Sequence, residues 1–236
     1  MTDKLNFDFL NVPSYNWTEL HYLTYELNIS LSSIKESISN NTQLIRGKRQ
    51  ELKDAIEKDE YLNSYEKEEF KAQYYNQHFE HAEKSINDLE NTLHHSCILT
   101  IFSVFEGKMK YLCELIEDET KSKVKHTDLK SNGDFGQFIK YLTSVFGMTP
   151  TKSESYTQTI SNYKTVRNKI AHQNNKISSS ELKRIRTLEN IRIESYSDSH
   201  KILISSSAFL IQLTETVDKY YQELVKEVDE RMKELM

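Results

Sequence analysis

Residues 153–172 read SESYTQTISNYKTVRNKIAH. At about 100° per residue, Tyr156, Ile160, Tyr163, Val166 and Ile170 fall within a stripe roughly 120° wide, the pattern of an amphipathic helix with one face turned to a core. Arg167 lies inside that stripe. Its guanidinium must either snorkel to water or find a buried acceptor, because an unpaired buried charge is costly. Asn168 and His172, four residues apart, share a flank away from the stripe's centre and can face a ligand or a second subunit. Asn174 and Asn175 follow as natural left-handed stop residues, which predicts a helix ending at His172. There the negative end of the helix dipole favours the imidazolium, and a histidine so placed can give or take a proton at cellular pH.

Upstream, residues 95–117 form the most apolar stretch, and Ile98, Phe102, Phe105, Met109, Leu112 and Ile116 define its core face. Glu106 borders that face. A carboxylate at the edge of one core stripe and a guanidinium in another suggest a bidentate pair of Glu106 with Arg167. Between the two helices lie a charged loop (118–136) carrying Ser131-Asn132-Gly133-Asp134, a short helix (135–146) stopped by Gly147, and Pro150. Downstream, the serines at 178–180 can cap a short helix at 181–188. Two strands (191–196 and 201–204) are joined by residues 197–200, and a last helix spans 206–235.

Toward the amino terminus, the spacing of Leu20, Leu23, Leu27, Leu31, Ile34 and Ile38 predicts one long helix from Trp17 to about Glu57, capped by Thr18 or Asn16. A second pattern starts at Asn63, an N-cap candidate with Glu66 as its capping-box partner. It runs unbroken through Phe70, Tyr74, Phe79, Ile86, Leu89 and Leu93, and can continue into the next helix. Five glycines and two prolines, Pro13 and Pro150, in 236 residues agree with long helices. With no repeat and no linker, the expectation is one all-α domain over 1–236: a long N-terminal helical hairpin (1–92), then a core (93–236) with a small β-hairpin at about 191–204 and a C-terminal helix.

A formal net charge of −5 argues against a generic nucleic-acid coat protein, so any nucleic acid must meet a local patch. Lys164, Arg167, Lys169, Lys176, Lys183, Arg184 and Arg186 form such a set around the motif helix; they either offset the acidic total at an RNA-binding cleft or make a solvated charged face. Lys164, Lys169 and Lys176 are the RNA-binding candidates. Cys97 and Cys113 share one predicted helix about 16 residues apart, some ~24 Å of rise, too far to bridge, and suit a reducing, cytoplasmic setting. No basic leader and no run of about 18 apolar residues is present, so neither export nor a membrane span is expected. His78 and His81 lack a third ligand at a recognisable spacing, and no Gly-rich phosphate loop, nucleophile elbow or paired-cysteine site occurs; neither metal nor cofactor is expected. The aromatic residues Tyr22, Tyr25, Tyr61, Tyr65, Phe70, Tyr74, Tyr75 and Phe79 can stack RNA bases or pack in a protein interface, and packing is the commoner use.

The hexapeptide RNKIAH, Arg167 to His172, resembles the Arg-polar-x-x-x-His signature of HEPN domains, helical nucleotide-binding domains found in toxins and in antiviral and CRISPR-associated ribonucleases. The order of neighbours is similar to the defence-related branch: a buried helix with Phe105-Glu106, a Gly/Asn loop, a short helix, the motif helix, a hairpin and a last helix. The resemblance covers roughly residues 93–224. It implies a HEPN-like helical bundle acting as a homodimer, in which two motif helices meet and two arginines and two histidines line one cleft. Carried over, Arg167 would clamp the scissile phosphate, His172 would transfer protons and Asn168 would position one or the other. The ribose 2′-hydroxyl would be the nucleophile, giving a cyclic phosphate from RNA, not DNA, with no metal. The implied role is a metal-independent endoribonuclease, a toxin or abortive-infection effector in antiphage defence, with an antitoxin or defence-system protein as partner. The alternatives are a catalytically silent HEPN subunit that binds a nucleotide or a partner, and a coiled-coil-like interaction protein outside the family. One departure stands out: where HEPN toxins silenced by a nucleotidyltransferase carry a tyrosine two residues beyond the histidine, this chain has Asn174.

Overall fold

Apolar residues three and four apart along most of the chain produce eight α-helices among the described residues of the computed structural model, which are 15–131, 133–172, 175–196, 199–204 and 206–235. They are α1 (Thr18–Lys58), α2 (Glu60–Ser64), α3 (Glu68–His78), α4 (Glu80–Thr120), α5 (Asp134–Ser144), α6 (Glu154–His172), α7 (Ser179–Ile185) and α8 (Ser207–Leu235). Three short strands, β1 (Lys176–Ile177), β2 (Arg192–Tyr196) and β3 (Ser199–Leu203), form one antiparallel sheet in the order β1-β3-β2. The fold is thus mainly α-helical with a small sheet near the C-terminus. No described helix is long and apolar enough to cross a membrane.

The chain divides into two compact units, each drawn from separate stretches of sequence. One takes the residues up to Ser32, Ile101–Ser161 and the chain from Thr214 onward. Its core is centred on Phe105, whose ring lies 5.8 Å from those of Phe135 and Tyr220. Leu20, Leu23, Phe102, Met109, Leu112, Leu142, Tyr221 and Val228 are likewise sealed from water. Two carboxylates of α8 do the helix capping here. Asp229 accepts the backbone N–H groups of Asn16 at 3.0 Å and Trp17 at 2.9 Å, at the start of α1. Glu227 accepts those of Thr151, Lys152 and Ser153 at 2.9, 2.7 and 3.1 Å, at the start of α6, and also the Ser153 hydroxyl. Orphan donors at a helix start need acceptors, and a negative group also suits the positive end of the dipole. The expected cap of α1 by Asn16 or Thr18 is therefore corrected: Asn16 is itself a donor to Asp229. Gly147, at φ 73°, ends the turn after α5 as expected.

The other unit comprises Ser33–Thr100 and Asn162–Leu213. Its buried side chains include Ile34, Ile38 and Ile45 of α1, Cys97 and Ile98 of α4, Tyr163 and Val166 of α6, Ile185 of α7, Ile202 of β3, and Phe209 and Leu210 of α8. Tyr163 and Phe209 meet edge to face at 5.3 Å. The predicted hairpin pairs Ile193 with Ile202 and Glu194 with Lys201, and β1 joins the other edge of β3. The residues proposed to join its strands lie partly outside the described residues, at 197 and 198. A serine of the expected run, Ser178, caps the short helix and Glu181 completes the capping box, so the helix begins two residues earlier than expected; it ends at Ile185.

The unbroken second helix is also corrected. Asn63 lies inside α2, and Asp59 is the cap, its Oδ1 accepting Leu62 N–H at 2.8 Å. Residues 65–67 then separate α2 from α3, and a one-residue interruption at Phe79 (φ −117°) separates α3 from α4, after which α4 does run on into the apolar stretch without a stop. No residue of α2 or α3 is buried, so no core contact holds that segment in one straight rod. Its aromatic residues gather among themselves, Tyr65 and Tyr74 with ring centres 5.8 Å apart, while Tyr61 and Phe70 stay exposed. Cys97 and Cys113 are free and buried.

Candidate functional site

The last turns of α6 emerge from the core of the second unit. Tyr163 and Val166 are buried, Arg167, Asn168, Lys169 and Ile170 are half-buried, and Ala171 and His172 are exposed. Ile170 is therefore a looser member of the apolar stripe than its spacing suggests. The helix closes as expected at His172. Asn175, at φ 65°, gives its N–H to the Lys169 carbonyl at 3.1 Å, and its own carbonyl accepts Ile202 N–H at 3.0 Å. Asn174, the other expected stop residue and the site of the missing tyrosine, lies outside the described residues. The Asn175 amide nitrogen is 3.3 Å from His95 Nε2, and burial, with His94 and Lys201 adding to it, pushes that imidazole below its ordinary range. The strand β3 and the helix α4 thus hold the end of α6 that carries the motif.

One open groove runs along this end. Thr165, Asn168 and His172 line it from one face of α6, Lys169 from beside them, and Glu181 and Arg184 from α7. Its volume is about 350 Å³, at the lower end of the ~300–1,000 Å³ usual for small-ligand sites. Arg167 donates from Nη1 to Asn168 Oδ1 at 2.9 Å, which occupies the carbonyl end of that amide and leaves its N–H groups as its remaining donors. Lys169 reaches Glu181 Oε1 at 2.7 Å with only 12% of its side chain exposed. The other carboxylate oxygen of Glu181 accepts Ser178 N–H at 3.0 Å and the Ser178 hydroxyl at 2.8 Å. The Lys169 hydrogen bond, followed by that from the Ser178 backbone, lowers the Glu181 carboxyl to about 2.

Of the residues expected to make a site, Asn168, Lys169 and His172 share the groove and Arg167 touches Asn168. Lys164 is half-buried on α6, and Lys176 is exposed on β1, opposite Lys201 of β3. Glu106 is half-buried on α4 and belongs to the first unit. Thr165 and Glu181 were not anticipated as lining residues. Both left signals: Thr165 stands three residues before Asn168 on the same helical face, and Ser178-x-x-Glu181 has capping-box spacing. No group of three or more His, Cys, Asp or Glu side chains that could hold a metal occurs among the described residues. Chemically the groove offers an imidazole for proton transfer, an amide and a hydroxyl for orientation, and guanidinium and ammonium groups with one carboxylate among them. Compared with known proteins, the chain matches no family model, and no curated protein and no solved structure is significantly similar to it.

Proposed function

We propose that this chain is a HEPN-type endoribonuclease that cleaves RNA with its own side chains and the ribose 2′-hydroxyl, and that it works as a homodimer whose motif helices face one cleft. The observation that carries this reading is the shared groove of Asn168 and His172, with Arg167 bonded to Asn168 and the imidazole exposed at the helix end. In the proposed reaction the 2′-oxygen attacks the adjacent phosphorus and the bond from phosphorus to the 5′-oxygen breaks. One His172 accepts the 2′-hydroxyl proton and a second, from the other copy, gives a proton to the leaving 5′-oxygen. Arg167 stabilises the charge that builds on the phosphoryl oxygens, and Asn168 orients it. The products are a 2′,3′-cyclic phosphate and a free 5′-hydroxyl. Such an activity suits a toxin or abortive-infection effector of antiphage defence, held in check by a partner protein in the cytoplasm.

A second reading keeps the fold and removes the chemistry: a silent subunit that binds a nucleotide or a partner. The commitment of Lys169 to Glu181 favours it, since one of the motif's cations is already neutralised. The two are separated by incubating purified protein with RNA in EDTA. The wild type is expected to cut and to leave cyclic phosphate ends, while His172→Ala and Arg167→Ala do not. Equal cutting by all three, or none by the wild type over varied RNAs, rejects the enzyme.

A further inference from the structure

We propose that the second half of α1 and the first half of α4 form a self-complementary surface, which takes the same face of another copy of this chain in antiparallel register. The inference goes beyond the RNA reading and does not rest on it. Residues 41–58 and 82–97 belong to one unit, and the two helices run side by side there. Asn41 donates to Cys97 Sγ at 3.7 Å, and Arg49 donates to Asn87 at 3.2 Å and to Glu90 at 2.6 Å. Between them lies an open groove of about 430 Å³ lined by Lys48, Glu51, Leu52, Ala82, Ile86 and Leu89. Leu44 and Ala55 are exposed on the same side of α1, at helical spacing from Lys48 and Glu51. No residue between Ile45 and His94 is buried, so the apolar side chains of this face stay partly in water in the single chain.

The order of the residues argues for a second copy as the occupant. A two-fold axis crossing α1 between Arg49 and Gln50 sets Lys48 against the partner's Glu51, Leu44 against the partner's Ala55 and Leu52 against the partner's Gly47. Each contact then occurs twice. Opposite charges meet, and each large apolar side chain meets a small residue. At Gly47 there is room, since a β-carbon would find nothing within 4 Å. The pairing of α1 with α4 places the same axis near residues 87–88 of α4, where Ile86 meets the partner's Leu89 and Ala82 meets the partner's Leu93. One register therefore matches on both helices, as a symmetric contact requires. An overlap of residues 41–58 is about 27 Å long and, over two helices, some 20 Å wide, burying roughly 1,000 Å² over both copies. That is the low end of specific interfaces, so the dimer forms in a concentration-dependent way.

Thiol cross-linking of the full chain reads this face and no other. Leu44→Cys and Ala55→Cys, mixed and exposed to a mild oxidant, should give a disulfide-linked dimer. Neither variant alone should, because two copies of residue 44 would stand roughly 16 Å apart along the helices. The wild type, whose two cysteines are buried, is the blank. Adding Lys48→Glu to both members sets like charges opposite each other twice and should remove most of the product. Placing Lys48→Glu on one member and Glu51→Lys on the other restores opposite charges and should recover it. All four positions are exposed, and thermal melts check that the variants fold. Linking by a single variant alone, no linking in the mixture, or a yield indifferent to the charge reversals overturns the interface. In each case the RNA reading stands, since none of these positions lines the groove of α6 and α7.

Discussion

Glu227 accepts the backbone N–H of Ser153 at 3.1 Å and so ties α8 to the start of α6, across 74 residues of sequence. Three consecutive backbone donors and two hydroxyls converge on this one carboxylate. Removing it leaves buried donors unsatisfied. Glu227→Ala should cost about 3 kcal/mol, lowering the melting temperature by some 6–12 °C in a chain of this size, and Glu227→Gln should cost less. A loss in Glu227→Ala no greater than that of an exposed glutamate such as Glu230→Ala would remove the cap from the account of α6.

The pH dependence follows from two depressed carboxyls. For Glu227, burial works to raise the value, but the bonds from Ser153 and Thr151 outweigh it; Glu181 lies at about 2. A carboxyl lowered by folding stabilises fully above its unfolded value of about 4.3 and loses that contribution as pH falls through the folded one. Urea midpoints should therefore fall as pH drops from about 5 toward 2. In Glu181→Gln the fall should be shallower, and parallel curves for the two proteins would contradict the assignment.

Phe105 and Ile86 both carry large apolar side chains, but only Phe105 is sealed in a core. Between Ile45 and His94 no residue is buried. Phe105→Ala is expected to cost about 3–5 kcal/mol, whereas Ile86→Ala should cost well under 2 kcal/mol. Hydrogen exchange checks the same contrast: amides at 46–93 should exchange much faster than those at 217–228. Equal protection of the two segments would mean that the first is packed more firmly than its exposure indicates.

Asn175 holds the left-handed conformation that ends the motif helix. Asn175→Gly should keep this turn, while Asn175→Ala should cost about 1–2 kcal/mol, since a β-carbon disfavours that region. The readout is the stability of the two variants side by side, and an alanine variant as stable as the glycine one would argue against a strained turn.

Sequence alone determined where most helices lie, that α6 ends at His172, and that Asn168 and His172 share one of its flanks. These features are local: apolar spacing of 3.6 residues, stop residues and turn residues act within a few positions of themselves. Even so, residues 65–67 and Phe79 interrupt a pattern that reads as continuous from Asn63 onward, in a segment where α2 and α3 bury no residue. Only the tertiary structure decided what each charge is used for. Asp229 caps a helix that starts some 212 residues away, and Glu227 one that starts 74 away. Lys169, an RNA-binding candidate by its place in a basic set, lies 2.7 Å from Glu181 Oε1, a pairing its position in the sequence does not announce. A charged residue in a linear pattern carries no mark of its acceptor, since the pairing depends on which helix ends the folded core brings within about 3 Å of one another.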